Sequence, residues 1–277
     1  MTATRINFER RVSRAARWAR TIANFSLVLG CTAIIGHRYG MVDTPAFAWV
    51  AALVGGLALL AILLAIVGFG RLWSRGDKAG KASLAAVLVS ALVLAPFGVA
   101  AYQFRLYPEL HDVSTDLSEP PAFSRALRSR TSDMNPIGVI SAEAAMVQRE
   151  AYPEVSGRRF DASIERVMAA ADVVIAERGW AVVAQATDGM EGGEITVEML
   201  APSLILRLPA DAVIRFTDEG ESTFVDMRSS TRYGAHDLGS NAGRIRGFLD
   251  DLDAEFARQS LSIIDIPASA EGEDPVE

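Results

Sequence analysis

The stretch AFAWVAALVGGLALLAILLAIVGFG, Ala46–Gly70, contains no charged residue and decides how the rest of the chain is read. A helix needs about 20 apolar residues to cross about 30 Å of hydrocarbon, and this run is long enough. A second run, Ala82–Phe104, is equally uncharged. A shorter one ahead of both, Thr21–Gly36, reaches spanning length if Trp18 and Ala19 join it and Arg20 snorkels to the headgroups. Three spans are therefore expected within 21–104. No acid, lysine or arginine lies inside the second or third, which disfavours transport through intramembrane polar groups. Gly55-Gly56 and the Ser83, Ser90, Gly98 series are small enough for close helix approach, although such residues are common in any membrane helix.

Charge orients these spans. Residues 1–104 carry 11 of the 27 Lys+Arg and only three acids, Glu9, Asp43 and Asp77. The arm 1–20 holds Arg5, Arg10, Arg11, Arg14, Arg17 and Arg20, and the second loop holds Arg71, Arg75, Lys78 and Lys81. The first loop has only His37 and Arg38. By the positive-inside bias the N-terminus and second loop are cytoplasmic. Arg105 onwards then lies on the far side, which for a bacterial inner membrane is the periplasm. Arg10, Arg14 and Arg17 stand at helical spacing, suited either to an amphipathic helix on anionic headgroups or to a plain topology signal. A cleaved signal peptide fits poorly, because further spans follow and no small-residue cleavage pattern precedes the second.

Residues 105–277 hold the other 16 basic residues, all arginine, against 31 acids. No nucleic-acid partner is expected for so acidic a segment. Cys31, the one cysteine, lies in the first span, so cysteine chemistry outside the membrane is excluded. A segment of this length can be held by its own core without disulfides. His111 and His236 are the histidines outside the membrane region, with no H-E-x-x-H, EF-hand loop or phosphate-cradling loop beside them. No metal or cofactor is expected.

Prolines 108, 120, 121, 136 and 153 interrupt 105–159, which reads as an extended strap with at most a short helix around Ser141–Arg149. Leu117, Phe123 and Ile137 are its docking points on the folded part or the membrane. The domain proper, 160–266, begins with a helix over Asp161–Glu177, capped by Asp161 and stopped by Gly179. Strands are expected at Trp180–Ala186, Glu194–Leu200, Ser203–Leu208, Ala212–Thr217 and Ser222–Tyr233. Ile195, Val197 and Met199 alternate with Glu194, Thr196 and Glu198, so one face is covered and the other wet. A last helix, Asn241–Gln259, carries the stripe Ile245, Phe248, Leu249, Leu252 and Phe256 with Asn241 as its cap. The tail 267–277 reads as disordered. The fold class is a three-span α-helical anchor plus a soluble α+β domain, an antiparallel sheet with helices packed on one face.

The connection SSTRYGAHDLGSNAGRIR, Ser229–Arg246, carries the functional candidates. Alternation places Arg228, Ser230 and Arg232 on the wet face, and a helix N-terminus with free amides follows. Arg228, Arg232 and those amides could hold a carboxylate or phosphate, with Arg244 in the first turn. The bland alternative is structural: Gly234 and Gly239 permit positive φ, Asp237 braces the turn or pairs with Arg232 or Arg244, and Arg228 pairs with acids across the sheet. Catalysis by Ser230 with His236 and Asp237 is a further alternative. Adjacent His-Asp side chains generally diverge, however, and no G-x-S-x-G elbow surrounds the serine.

This stretch, read as DMRSSTRYGAHDLGSNAGRI, and HDVSTDLSEPPAF at His111–Phe123 together resemble the bacterial family catalogued as domain of unknown function 1499. Tyr152-Pro153 matches a further family segment, and Thr231 stands where serine is usual. The resemblance implies an envelope protein, often with spans ahead of the domain, and no established activity. It favours Arg228, Ser230, Arg232, Gly234, Asp237, Gly239, Asn241 and Arg244, and upstream Ser114, Thr115, Asp116, Pro120, Pro121 and Phe123, as motif positions. A physical expectation joins the two: the strap lies beside the last strand, with Thr115-Asp116 meeting Arg228 or Arg232. The leading expectation is a non-enzymatic envelope module for a protein partner or an anionic envelope component. The rivals are an envelope hydrolase or transferase using Ser230, His236 and Asp237, and an anchor whose spans are the recognition surface.

Overall fold

A computed structural model describes residues 13–188 and 193–264. The N-terminal arm before residue 13, the tip of the turn after Asp188 and the acidic tail lie outside the described residues. The chain forms two compact units, Met1–Arg105 with Ile205–Arg207, and Leu106–Leu204 with Leu208–Glu277.

The first unit is built from three helices, α1 (Arg14–Arg38), α2 (Thr44–Arg75) and α3 (Gly80–Leu106). At a rise of about 1.5 Å per residue they are about 38, 48 and 40 Å long, each more than the hydrocarbon thickness. All three are apolar enough to cross a membrane, and the protein is membrane-integral. Local chemistry sets their ends. Ser13 Oγ accepts from the Ala16 amide ahead of α1, and Asp43 Oδ1 accepts from the Ala46 amide at 2.7 Å ahead of α2. Gly76, at φ +68, stops α2 and donates to the Leu72 carbonyl. Close approach uses small side chains: Ala19, Ala23, Ala61, Ala65 and Ala86 are fully buried together. A Cβ on Gly68 would fall 2.5 Å from Ser83 Oγ, and one on Gly55 would lie 3.5 Å from the Phe97 ring, whereas Gly56 and Gly98 face open space.

The second unit contains β1 (Asp112–Ser114), α4 (Arg125–Ser129), α5 (Ala142–Ala151), β2 (Arg158–Phe160), α6 (Ile164–Glu177), β3 (Ala181–Asp188), β4 (Glu194–Leu200), β5 (Ala210–Asp218), β6 (Thr223–Thr231) and α7 (Ser240–Ile264). The sheet is antiparallel in the order β1-β6-β5-β4-β3, with β2 sharing the outer edge of β6 with β1. Val197, Met199, Ile214, Phe216, Val225 and Met227 line one face and meet α6 and α7 through Val167, Val174, Ile245, Phe248, Leu249 and Leu252. Trp180 stacks on Phe248 with centroids 5.6 Å apart. Helices thus cover one face, as alternation implied.

Several expectations are corrected. The strap supplies two strands and two helices, not one, because β1 and β2 complete the ladder along β6. The other face of the sheet is not wet: Asp226, Arg228 and Ser230 are buried, and Phe123, Ala126 and Ile137 of the strap pack on Val213. Ser163 replaces Asp161 as the residue preceding α6, although Gly179, at φ +63, ends that helix as expected. Ser203–Leu208 is a closed turn rather than a strand, with Ser203 N–H on the Leu208 carbonyl at 2.9 Å and Arg207 at φ +56.

Candidate functional site

Alternate residues of β6 face opposite sides of the sheet, so the closing motif divides between two surfaces. On the strap side, β1 sets Asp112 opposite Ser230 and Ser114 opposite Arg228. The Arg228 guanidinium thereby forks onto Asp112, Nε to Oδ1 at 3.0 Å and Nη2 to Oδ2 at 2.8 Å. It also donates to the Gly138 carbonyl at 2.7 Å and the Pro121 carbonyl at 3.4 Å, with the Phe123 ring 5.3 Å away. A cation only 5% exposed is compensated in this way on every side. The Pro-Pro-x-Phe signature, with Pro120 leading into the buried Pro121, is thus the lid over Arg228.

Arg232 meets Asp211 of β5 at 2.6 Å, and Arg130 of the strap meets the same carboxylate at 2.8 Å. Burial lowers the pKa of Arg130 and the charge of Arg232 adds to this, while Asp211 opposes both. A third cluster forms around Arg215, whose Nη2 lies 2.8 Å from both Asp116 Oδ2 and Asp226 Oδ2. Burial works against the charge on Arg215, and the two carboxylates outweigh it and raise the pKa. Burial likewise pushes Asp116 up, but the amides of Glu119 and Ser118 and the Arg215 guanidinium pull its pKa below the ordinary 3.8. Thr115 Oγ1 donates to Asp226 Oδ1 at 2.7 Å and accepts from the Met227 amide at 2.9 Å. The strap therefore does lie beside β6, but the expected partner of Asp116 is corrected: it pairs with Arg215, and Arg228 takes Asp112 instead.

On the helix side, Asn241 Oδ1 accepts from Ser229 Oγ at 3.0 Å and Arg244 Nη1 at 2.7 Å, and its Nδ2 donates to the His111 carbonyl at 3.0 Å. Burial lowers the pKa of Arg244 to about 10, against the pull of Asp237. Asn241, expected as the helix cap, sits inside the first turn of α7. The capping carboxylate is Asp237, which accepts from the amides of Gly239 at 2.8 Å and Asn241 at 2.7 Å. Burial raises the pKa of Asp237, with those amides, Arg244 and His236 opposing. Gly239 has no substitute here: its φ is +78, and a Cβ would lie 2.8 Å from the Tyr107 ring. Gly234, at φ +84, turns the chain out of β6.

The motif residues are therefore brought together with carboxylates of the protein itself and not with one another at a single anion position. Asp237 occupies the amides an anion would use at α7. His236 Nε2 lies 3.0 Å from the Tyr107 carbonyl, and its Nδ1 accepts from the Leu238 amide at 2.9 Å. Among the described residues Ser230 Oγ is buried without a hydrogen-bond partner, so no hydrogen bond joins Ser230 to His236 and Asp237 there. Among the described residues no group of three or more His, Cys, Asp or Glu is placed to hold a metal ion.

The upstream signature does open to solvent. A cleft of about 580 Å³ is lined by Thr115–Ser118, Gln148, Arg149, Tyr152, Pro153, Val155–Gly157, Phe224 and Asp226. Gln148 forms its back wall, accepting from the Ser114 amide at 3.2 Å and donating to the Ser114 carbonyl at 2.7 Å. Tyr152 is buried beside it, and burial, helped by the charge of Asp237, pushes its hydroxyl up to about 12. A Cβ on Gly157 would fall 2.6 Å from the Phe224 ring and 2.9 Å from Asp226 Oδ1, so the cleft floor leaves no room for a side chain there. Arg149, exposed at the rim, makes no ion pair among the described residues.

A family model described as Protein of unknown function (DUF1499) matches residues 112–252, just over half of the chain. The chain belongs to this family. The DUF1499 match starts at the first residue of β1 and ends within α7, so it takes in the strap from Asp112 onwards and both covered faces of the sheet. No curated protein and no solved structure matches the chain. The residues that sequence reasoning missed are Asp112, Arg130, Gln148, Asp211 and Arg215. Asp112 alone had a local signal, its place inside the HDVSTD signature.

Proposed function

We propose that this DUF1499 protein is a non-enzymatic binding module of a bacterial inner membrane. Its N-terminus is cytoplasmic and its α+β domain periplasmic, and it takes a protein partner or an anionic envelope component in the cleft beside the strap. The orientation is supported by the cationic arm and second loop. One observation carries the site. The closing-motif arginines Arg228 and Arg232 are compensated by Asp112 and Asp211, whereas Arg149, exposed and in no ion pair among the described residues, stands at the mouth of a cleft made by the strap signature and Tyr152-Pro153. The lining combines apolar Leu117, Pro153, Val155 and Phe224 with polar Thr115, Asp116, Ser118, Gln148 and Asp226, so a ligand there meets both kinds of surface.

The test is a photoreactive phenylalanine analogue placed at Ser118 of the full-length protein in cells, with Thr187 on β3 as a control. Illumination is expected to give a discrete adduct from Ser118, lost in an Arg149→Glu background and absent from Thr187. No adduct at Ser118, or one indifferent to Arg149→Glu, would contradict the reading.

A further inference from the structure

Links between strands of a soluble sheet are usually polar, yet the β4–β5 link reads Ser203-Leu204-Ile205-Leu206-Arg207-Leu208. It is held closed at both ends, by Ser203 N–H on the Leu208 carbonyl and Leu208 N–H on Ser203 Oγ, each at 2.9 Å. Core packing does not explain its composition, because Leu204 is 83% and Ile205 75% exposed. Two observations bear on what could cover them. Ile205–Arg207 belongs to the compact unit of the three spans. Within that unit the Leu206 carbonyl lies 2.8 Å from His37 Nδ1, and Leu206 lines an apolar cavity of about 320 Å³ with Phe47 and Phe97. His37 stands in the last turn of α1, so the tripeptide lies at the level where that span leaves the hydrocarbon. Arg207 follows directly, exposed and in no ion pair among the described residues, where a headgroup phosphate can take it.

We infer that this turn is a membrane-dipping tip: Leu204 and Ile205 enter the boundary of the bilayer hydrocarbon, with Arg207 at the lipid phosphates. This explains why a run with the composition of a strand forms none, and it holds whichever side of the membrane the domain occupies.

The test uses full-length protein in vesicles of phosphatidylethanolamine with a minority of phosphatidylglycerol. Cys31→Ser removes the single cysteine, and Ile205→Cys or Leu204→Cys then carries an environment-sensitive fluorophore. Val139→Cys, 98% exposed on the strap, is the aqueous control. At positions 204 and 205 the emission is expected to be blue-shifted, quenched by nitroxide-bearing lipids, and several-fold less sensitive to aqueous iodide than at 139. Iodide quenching equal to that at 139 overturns the inference. So does exclusion of both quenchers, which would mean that protein and not lipid covers the tip. Circular dichroism matching the parent protein confirms that each labelled variant is folded.

Discussion

Substituting Arg228 by Met tests whether the closing motif braces the strap. The guanidinium holds both Asp112 oxygens and the carbonyls of Gly138 and Pro121 beneath the Phe123 ring. Met fills much of the volume but leaves the Asp112 carboxylate, only 12% exposed, without its cation. Removing one member of a buried pair costs about 3–5 kcal/mol, a large share of a typical domain stability of about 5–15 kcal/mol. Adding Asp112→Leu removes the stranded charge, and most of that cost is expected to return. About 1–2 kcal/mol should remain for the two carbonyls left without a donor. The assay is urea unfolding of the full-length protein in micelles, with Trp18, Trp49 and Trp73 replaced by Phe so that Trp180, stacked on Phe248, reports the domain. A single-mutant cost below about 1 kcal/mol, or a double mutant no more stable than the single, would refute the reasoning.

Three further outcomes are expected. Gly157→Ala forces Phe224 and Asp226 apart at contacts of 2.6 and 2.9 Å and should destabilise the domain by about 1–3 kcal/mol in the same unfolding assay. Asp237→Ala strips two amides of their acceptor at the start of α7 and should cost about 1–2 kcal/mol, with Asp237→Asn milder; hydrogen exchange at Gly239 and Asn241 should rise first. Asp116 has a folded pKa below its ordinary 3.8, so its carboxylate stabilises the fold above that pH, and the contribution is lost as pH falls through the folded value. The stability gap between the wild type and Asp116→Asn should therefore be steady near neutrality and close in acid.

The parts of this fold that were legible in the sequence are those governed by local periodicity. Uncharged runs longer than a bilayer are read directly, and the α7 stripe of Ile245, Phe248, Leu249 and Leu252 could face only a core. What was not legible depended on residues far apart in the chain. Alternation marked Arg228 and Ser230 as solvent-facing because nothing local reveals that a proline-broken strap returns to cover them. The Asp112–Arg228 fork joins positions 116 residues apart, and Arg130 reaches Asp211 across 81. Ser203–Leu208 misled for the opposite reason. Its aliphatic composition is that of a strand, but its leucines and isoleucine point away from the sheet core, and composition alone does not distinguish the two. Asn241 was well spaced to cap α7, yet Asp237 reaches the same amides through the backbone turn at Leu238 and Gly239, both at positive φ.

The proposed placement of the domain opposite the N-terminus underlies the proposed function, and site-directed labelling tests it most directly. In a Cys31→Ser background, Val139→Cys marks the domain and Gly76→Cys marks the loop after α2. Cells with a permeabilised outer membrane are treated with a membrane-impermeant maleimide before and after lysis. The account requires position 139 to react in unlysed cells and position 76 to react only after lysis. Reaction at 76 before lysis with 139 protected would contradict it.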